Sequence, residues 1–161
     1  MTTERDEEVF DFDQFRAIRQ RSVGKLLWRV KRYLDNYVEP KLHAQGYTDF
    51  KMSYLMFLAN ITETGITNRE LAQKACVTKQ MMSKIVSLLE AEGYIYIEKH
   101  PTDSRSSIIF LNQRGKDMFL SLRNSMQEAR DHFDALVGHA RMETMIDTLV
   151  ELTDALEREE K

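Results

Sequence analysis

The sequence predicts a mainly α-helical fold that carries a small β-hairpin, and three observations support this. Apolar residues recur every three or four positions over long stretches at both ends of the chain, as in amphipathic helices. Two short helices with capping signals are predicted in the middle, across residues 67–92. Two β-rich segments separated by a polar loop follow at 94–111. This order of elements is that of a winged helix-turn-helix set on a helical platform.

Each of the two short helices begins with its own start signal. Thr67 and Glu70 form a capping box, in which each side chain satisfies a backbone N–H of the other residue, so a helix should begin at Asn68. Thr78 is a second hydroxyl cap ahead of a new apolar repeat, and Gly93 is placed to end that helix. The sequence therefore predicts two helices that meet across a tight turn.

The second short helix has one apolar face and one polar face. Met82, Ile85, Val86 and Leu89 recur at steps of three and four, which commits that side to the core. The residues that project the other way, Gln80, Ser83, Lys84 and Ser87, include no acid and offer amide, hydroxyl and ammonium groups, which suit base edges and phosphates. A solvated helix face is the plain alternative. The candidate DNA-contact residues on this helix are Thr78, Lys79, Gln80, Ser83, Lys84 and Ser87.

Residues 94–97 and 107–111 are rich in β-branched and aromatic residues, which predicts two antiparallel strands. The intervening loop contains Pro, Asp and Ser, residues typical of turns. Lys99, His100 and Arg105 in this loop could reach a phosphate backbone or a minor groove. The hairpin is therefore the predicted wing.

The stretch from Thr67 to Gly115 resembles the MarR family of bacterial transcription regulators in the order and spacing of its motifs. The most specific of these is Asp103-Ser104-Arg105 in the wing. In that family such a pair orients the wing and places the arginine in or near the minor groove, which implies these roles for Asp103 and Arg105. Asn112 stands where the family more often has threonine, a change between two good helix caps. The other matching motifs are Glu70-Leu71-Ala72, Val77-Thr78, Ser83-Lys84, Leu89-Glu90, Gly93-Tyr94-Ile95 and Leu111-Asn112-Gln113-Arg114-Gly115.

Charge is distributed unevenly along the 161 residues, whose formal net charge is −3. Residues 14–46 and 67–116 carry net charges of +6 and +3, whereas residues 1–13 and 117–161 carry −5 and −6. An acidic protein can therefore present a basic face to DNA. The acidic N-terminal sequence differs from a signal peptide, and no apolar run is long enough to span a bilayer, so we expect a cytoplasmic protein.

The sequence outside the winged helix-turn-helix predicts a platform of helices. We expect one long helix over residues 13–45, bent or interrupted near residues 36–39 by Pro40, and an almost wholly apolar helix over 50–61. Two further helices are predicted at 112–137 and 141–159. Their apolar stripes need a partner, so we expect a homodimer platform formed by residues 13–46 and 112–161, with a DNA-binding lobe at 47–111.

Several residues have both a functional and a structural interpretation. Cys76 is the only cysteine; some MarR relatives sense peroxide through a cysteine, but theirs lies in the first helix, so we expect a buried structural thiol here. His132 and His139 could join Glu128 in a metal site, and surface histidines are the preferred interpretation. MarR relatives often bind small aromatic ligands between platform and lobe. The candidates for such an effector site, or for plain packing, are Trp28, Tyr37, Tyr54 and Phe57.

These patterns predict a sequence-specific, ligand-responsive homodimeric repressor that binds a pseudo-palindromic operator on double-stranded DNA. An activator is compatible with the same fold. The alternative is a non-catalytic winged-helix module that binds protein or acts as a DNA-architectural factor. No Gly-rich phosphate loop or nucleophile motif is present in the sequence, so an enzyme is not expected. We expect no cofactor, and a small aromatic acid is the candidate effector.

Overall fold

The computed structural model describes residues 11–103 and 105–159, and the acidic N-terminal segment considered above lies outside this range. The fold is mainly helical with one small antiparallel sheet, which confirms the predicted fold class. Among the described residues, no helix is both long enough and apolar enough to cross a bilayer. The helices are α1 (Phe12–Gln20), α2 (Val23–Ala44), a 3-10 turn (Met52–Tyr54) continuing into α3 (Leu55–Leu58), α4 (Asn68–Lys74), α5 (Lys79–Ala91), α6 (Gln113–Val137) and α7 (His139–Glu159), and the strands are β1 (Ile66–Thr67), β2 (Ile95–Lys99) and β3 (Ser107–Leu111).

The prediction of a single helix over residues 13–45 is wrong. The chain leaves helical geometry at Arg21 and Ser22, between α1 and α2. At the break, the Ser22 hydroxyl accepts a hydrogen bond from the Lys25 backbone N–H at 3.5 Å, as a cap at the start of α2 does. The apolar period continues across the break, which is why it predicts one helix.

Of the two effects predicted for Pro40, a bend or an interruption, the interruption does not occur. The helix is continuous from Val23 to Ala44, with Pro40 in its last turn and a half. It ends as predicted at Gly46, whose φ of 98° suits a glycine. The backbone N–H of Tyr47 donates to the carbonyl of Leu42, and that of Gly46 donates to His43, which completes a Schellman C-cap.

The predicted helix over residues 50–61 is much shorter in the structure. Only Met52–Leu58 is helical, and its first turn is of the 3-10 type. Its side chains are not buried all round, because Ser53 and Met56 are exposed while Tyr54 and Phe57 are buried. The apolar content of this segment reflects buried loop residues such as Phe50 as much as a helix face.

The sheet has three strands in the order β1-β3-β2, all antiparallel. The β2–β3 hairpin was predicted, and in its register Lys99 pairs with Ser107 and Ile95 with Leu111. The third strand, β1, was not predicted. It adds Ile66 opposite Ile109 and Thr67 opposite Ile108, so the segment that leads into α4 is hydrogen-bonded to the wing.

The chain divides into two compact units between Asn36 and Tyr37. The second unit contains one hydrophobic core, to which the C-terminal half of α2, the 3-10 turn, α3 to α6 and the sheet all contribute. Tyr94 and Phe50 are its largest fully buried side chains, with ring centroids 5.9 Å apart. This core fixes α5 and the wing in one lobe.

Two C-terminal helices were predicted with a division at Gly138, and the structure confirms both. Asn112 caps α6 through its side-chain oxygen, which accepts from the Gln113 backbone N–H at 2.8 Å. Gly138 has a φ of 91° and separates α6 from α7, which begins two residues earlier than predicted. Within this single chain the apolar stripe of α7 is largely exposed, including Met145, Val150, Leu152 and Leu156.

Candidate nucleic-acid interface

The start of α5 is fixed by its cap. The hydroxyl of Thr78 accepts a hydrogen bond from the Met81 backbone N–H at 3.1 Å, as the sequence predicted. The other end of the helix is fixed by Gly93, which has a φ of 78° just beyond it. Met82, Val86 and Leu89 are buried, so the rotation of the helix about its axis is also determined. The polar face of α5 is therefore held in one orientation.

All six α5 residues predicted to contact DNA are exposed. Two of the hydroxyls also take part in hydrogen bonds within the helix. Ser83 donates to the Lys79 carbonyl and Ser87 donates to the Ser83 carbonyl, both at 3.0 Å. Their oxygens keep lone pairs that can accept hydrogen bonds, whereas Lys79, Lys84 and Gln80 provide donors.

Asn68 supports this face from α4 and was not among the predicted site residues. Its side-chain amide donates to the Ser83 hydroxyl at 3.0 Å, across fifteen positions of sequence. The bond ties the first turn of α4 to the polar face of α5. The sequence correctly placed Asn68 at the start of α4, because the predicted capping box of Thr67 and Glu70 is present with both of its hydrogen bonds. No local signal indicated its partner.

The wing loop is shaped by side chains that accept hydrogen bonds from the backbone. Asp103 accepts from the backbone N–H of Arg105 at 3.0 Å, so the carboxylate shapes the turn through the main chain and does not depend on the guanidinium. The Nδ1 atom of His100 accepts from the backbone N–H groups of Thr102 and Asp103 at 3.3 and 3.2 Å. Lys99 and Arg105 are exposed, whereas His100 is half-buried.

A polar network behind the wing joins three separate parts of the chain. The Tyr94 hydroxyl donates to Asp49 at 2.6 Å, and the Arg114 guanidinium donates to the same carboxylate oxygen at 2.8 Å. Arg114 also donates to the Glu92 carbonyl and lies 4.7 Å above the Tyr94 ring. The network fixes the start of α6 to the end of α5 and the start of the wing. Sequence analysis did not detect it, because Asp49 lies outside every motif.

The network shifts the pKa values of its acidic groups in opposite directions. Burial alone would raise the pKa of Asp49, but the hydrogen bond from Tyr94, its own backbone N–H and the Arg114 charge together hold it below the usual value. Burial and the nearby Asp49 charge raise the pKa of Glu92. Burial and the hydrogen bond to Asp49 also raise the pKa of Tyr94. Tyr94 is therefore a neutral donor to an ionised carboxylate.

Cys76 is exposed, so the prediction of a buried thiol is wrong. The residue lies in the turn between α4 and α5 with a φ of +51°, in the left-handed region. This conformation turns its side chain outward, while Ala75 is buried and Val77 is half-buried on either side. Among the described non-glycine residues, Cys76 alone has a positive φ.

The candidate effector residues have different environments. Tyr54 and Phe57 are buried core residues, whereas Tyr37 is half-buried with the Lys41 ammonium 4.7 Å above its ring. Trp28 belongs to the first compact unit; it is 57% exposed and carries the Arg32 guanidinium 4.7 Å above its ring. A cavity of about 340 Å³ beside β2 and β3 has none of the four in its lining. It is lined by Ile61, Thr62, Glu63, Tyr96, Phe110, Leu111 and Lys116.

The described residues contain no cluster of three or more His, Cys, Asp or Glu side chains that could hold a metal ion. His139 instead bonds to Asp134 through Nδ1 at 2.7 Å. Asp134 also accepts from Arg130, and both hydrogen bonds lower the pKa of this carboxyl. These contacts stabilise the corner between α6 and α7 around Gly138.

Comparison with known proteins identifies the family. Residues 45–106, which hold the capped helices and most of the wing, match the family model described as the MarR family. Residues 45–106 are therefore a MarR-family region. The "HTH-type transcriptional regulator FarR" of Neisseria gonorrhoeae is 24% identical over 132 residues, covering 81% of this chain and 88% of FarR.

Solved structures of MarR proteins have the same fold. A crystal structure of MarR itself superposes with a TM-score of 0.72 at 20% identity, covering 84% of this chain and 98% of the other. The transcriptional repressor CouR, solved bound to a 23-mer DNA duplex, has a TM-score of 0.65 at 18% identity and covers 84% and 95%. The family match and the FarR relative support a transcriptional regulator and no enzyme, which is the class that the sequence predicted.

Proposed function

We propose that this MarR-family regulator is a sequence-specific homodimeric repressor that places α5 in the major groove of a pseudo-palindromic operator. One observation carries the proposal: the exposed polar residues of α5 from Lys79 to Ser87 include no acidic residue, and they are held rigidly beside an exposed wing. Lys79, Gln80 and Lys84 can contact bases and phosphates, and Arg105 can enter the adjacent minor groove.

The rigidity of this face supports base-specific reading. The Thr78 cap, the Asn68–Ser83 hydrogen bond and the buried side of α5 determine its orientation before DNA arrives. A preorganised contact surface loses little conformational entropy on binding, so more of the contact energy is available for discrimination between sequences. CouR, which is also a repressor, has been solved with a DNA duplex.

Exposed apolar side chains support a dimer. Within a single chain, α1 has no buried residue, and its Phe12, Phe15 and Ile18 are exposed. In the second unit, Leu136 and Val137 at the end of α6 and much of the α7 stripe are exposed as well. Such surfaces mark an interface between subunits when they are this extensive. A two-fold axis would then present two copies of α5 to successive major grooves, about one helical turn apart.

We further propose control by a small aromatic acid that binds beside Tyr37. The Lys41 ammonium lies over this ring and also pairs with Glu128, so it joins α2 to α6 in the second unit. A carboxylate ligand would compete with Glu128 for Lys41. Such a ligand weakens operator binding only if it prefers the released form, and operator then weakens ligand binding by the same factor.

Selection of bound sites from random duplex DNA tests the first proposal. We expect inverted half-sites centred about 10 base pairs apart, together with a dimer in sedimentation at micromolar concentration. A single asymmetric half-site or a monomer would contradict it. The same selection separates the alternative, because a DNA-architectural module would return no consensus at physiological salt.

A fluorescence titration of labelled operator with a panel of aromatic acids tests the effector proposal. We expect release of the operator from the parent protein and not from Lys41→Met. The matched control is Lys31→Met on the same helix, which removes an exposed ammonium paired with Asp35 and should leave release unchanged. Absence of release by any acid, or equal release from both variants, would rule out this site.

A further inference from the structure

Met81 is a large apolar side chain on the polar reading face of α5. It is 51% exposed, although its neighbours Gln80 and Lys84 are polar and its other neighbour Met82 is fully buried. Its position is fixed, because its backbone N–H donates to the Thr78 cap. Since α5 begins at Lys79, Met81 is its third residue and lies in its first turn.

The first turn of a recognition helix is the part that contacts base edges in helix-turn-helix complexes. Most groups on the major-groove edges of the bases are hydrogen-bond donors or acceptors, and a thioether side chain does not pair well with them. The apolar exception is the C5-methyl group of thymine. Methionine is flexible and polarizable, so it can adapt to a methyl group whose position shifts with local DNA geometry.

We propose that Met81 reads a thymine in each half-site by packing its side chain against the C5-methyl group. This inference rests on the proposed function, because it requires α5 to lie in the major groove. The contact differs in kind from those of Gln80 and Lys84, which donate hydrogen bonds. Met81 therefore selects thymine over cytosine, which carries no methyl group and presents an amino group at the neighbouring position.

Deoxyuridine substitution tests this contact directly, since uracil keeps the pairing and hydrogen-bonding edges of thymine and lacks only the methyl group. Each thymine in one half-site of the selected operator is replaced in turn, and binding is measured for the parent and for Met81→Ala. We expect one position at which the parent loses affinity by about fourfold, the value for one buried methyl-sized group. At that position the deoxyuridine replacement should lower the affinity of the Met81→Ala variant by less than about twofold.

Leu88→Ala is the matched control. Leu88 is 43% exposed on the same helix, seven residues from Met81 and therefore about 10.5 Å further along the helix axis. We expect this variant to retain the full deoxyuridine penalty. Both side chains are exposed, so both variants should fold, which their melting curves can verify.

Two results would overturn the proposal about Met81 while leaving the proposed function intact. In the first, the parent binds DNA sequence-selectively, and no deoxyuridine replacement lowers its affinity. In the other, the penalty is equal in the parent and in Met81→Ala. If the parent binds no DNA sequence selectively, both the repressor function and the methyl contact are refuted together.

Discussion

Tyr94 donates its phenolic hydrogen to Asp49 at 2.6 Å, across 45 positions of sequence. Tyr94 is fully buried at the start of the wing, whereas the Asp49 side chain is 31% exposed and also accepts from Arg114. The bond therefore connects the loop after α2 to the reading lobe and to the first turn of α6.

Tyr94→Phe should lower the free energy of unfolding by about 1.5 to 3 kcal/mol, the usual value for a hydrogen bond to a charged partner. Urea denaturation measures this change. Tyr96→Phe is the control, because Tyr96 lies two residues away on the exposed side of the same sheet and should cost almost nothing. Equal effects of the two substitutions would show that the Asp49 bond contributes no stability.

Glu92→Gln should raise the melting temperature at pH 7 and should lose this advantage near pH 4. Burial and Asp49 raise the pKa of Glu92 in the folded protein, so its ionised form opposes folding at neutral pH. As the pH falls through the folded pKa, Glu92 takes up a proton and the cost disappears. Melting curves across this range provide the measurement, and an advantage that is constant with pH would contradict the electrostatic origin.

Gly115→Ala should destabilise the protein by about 3 kcal/mol or more, at the upper end of overpacking costs. A Cβ atom at this position would lie 2.3 Å from the Tyr94 carbonyl oxygen, which is main chain and cannot rotate away. Gly24→Ala is the opposite case, because nothing lies within 4 Å of its Cβ position in the first turn of α2, and alanine has the higher helix propensity by up to about 1 kcal/mol. Chemical denaturation of both variants should therefore give changes of opposite sign.

Cys76→Val should destabilise the protein by about 1 to 2 kcal/mol, because a β-branched residue tolerates the left-handed conformation poorly. Cys76→Asn should be neutral or slightly stabilising at the same φ of +51°. Thermal melts distinguish the two. A destabilising Asn substitution would instead indicate that the thiol makes a contact of its own.

Lys84→Ala and Arg105→Ala should both weaken operator binding without changing the melting temperature, because both side chains are exposed. If Lys84 contacts only phosphate, its loss lowers affinity for all sequences evenly and reduces the salt slope by about one. Loss of a base contact by Arg105 should cost about 1 to 3 kcal/mol and relax preference at one position. Binding curves at several salt concentrations that overlay the parent would show that the DNA surface lies elsewhere.

The elements that were predicted correctly are those whose signals are local. The capping box at Thr67 and Glu70, the Thr78 cap and the stop at Gly93 each act within four residues, so the sequence itself reveals them. The same holds for Asn112 and Gly138 at the ends of α6. Two helices of the predicted DNA-binding lobe and the exposed side of α5 could therefore be located before any coordinates.

The features that were missed depend on partners far away in sequence. β1 has only two residues, too few for an alternating pattern, and exists because Ile109 and Ile108 lie opposite. The Asn68–Ser83 bond and the Asp49–Arg114 pair likewise join separate segments. The φ of Cys76 follows from the turn that two helices must make, and its neighbours in the sequence suggest a buried thiol instead.

The pairing of β1 with β3 also limits how new binding specificities could arise in this protein. Thr67 is both a residue of β1 and the N-cap of α4, so the base of the wing and the helix-turn-helix share one residue. Loop grafts from relatives should therefore be confined to residues 100–106, beyond the last paired positions Lys99 and Ser107. Within those limits a different wing loop could replace residues 100–106 while α5 keeps its orientation.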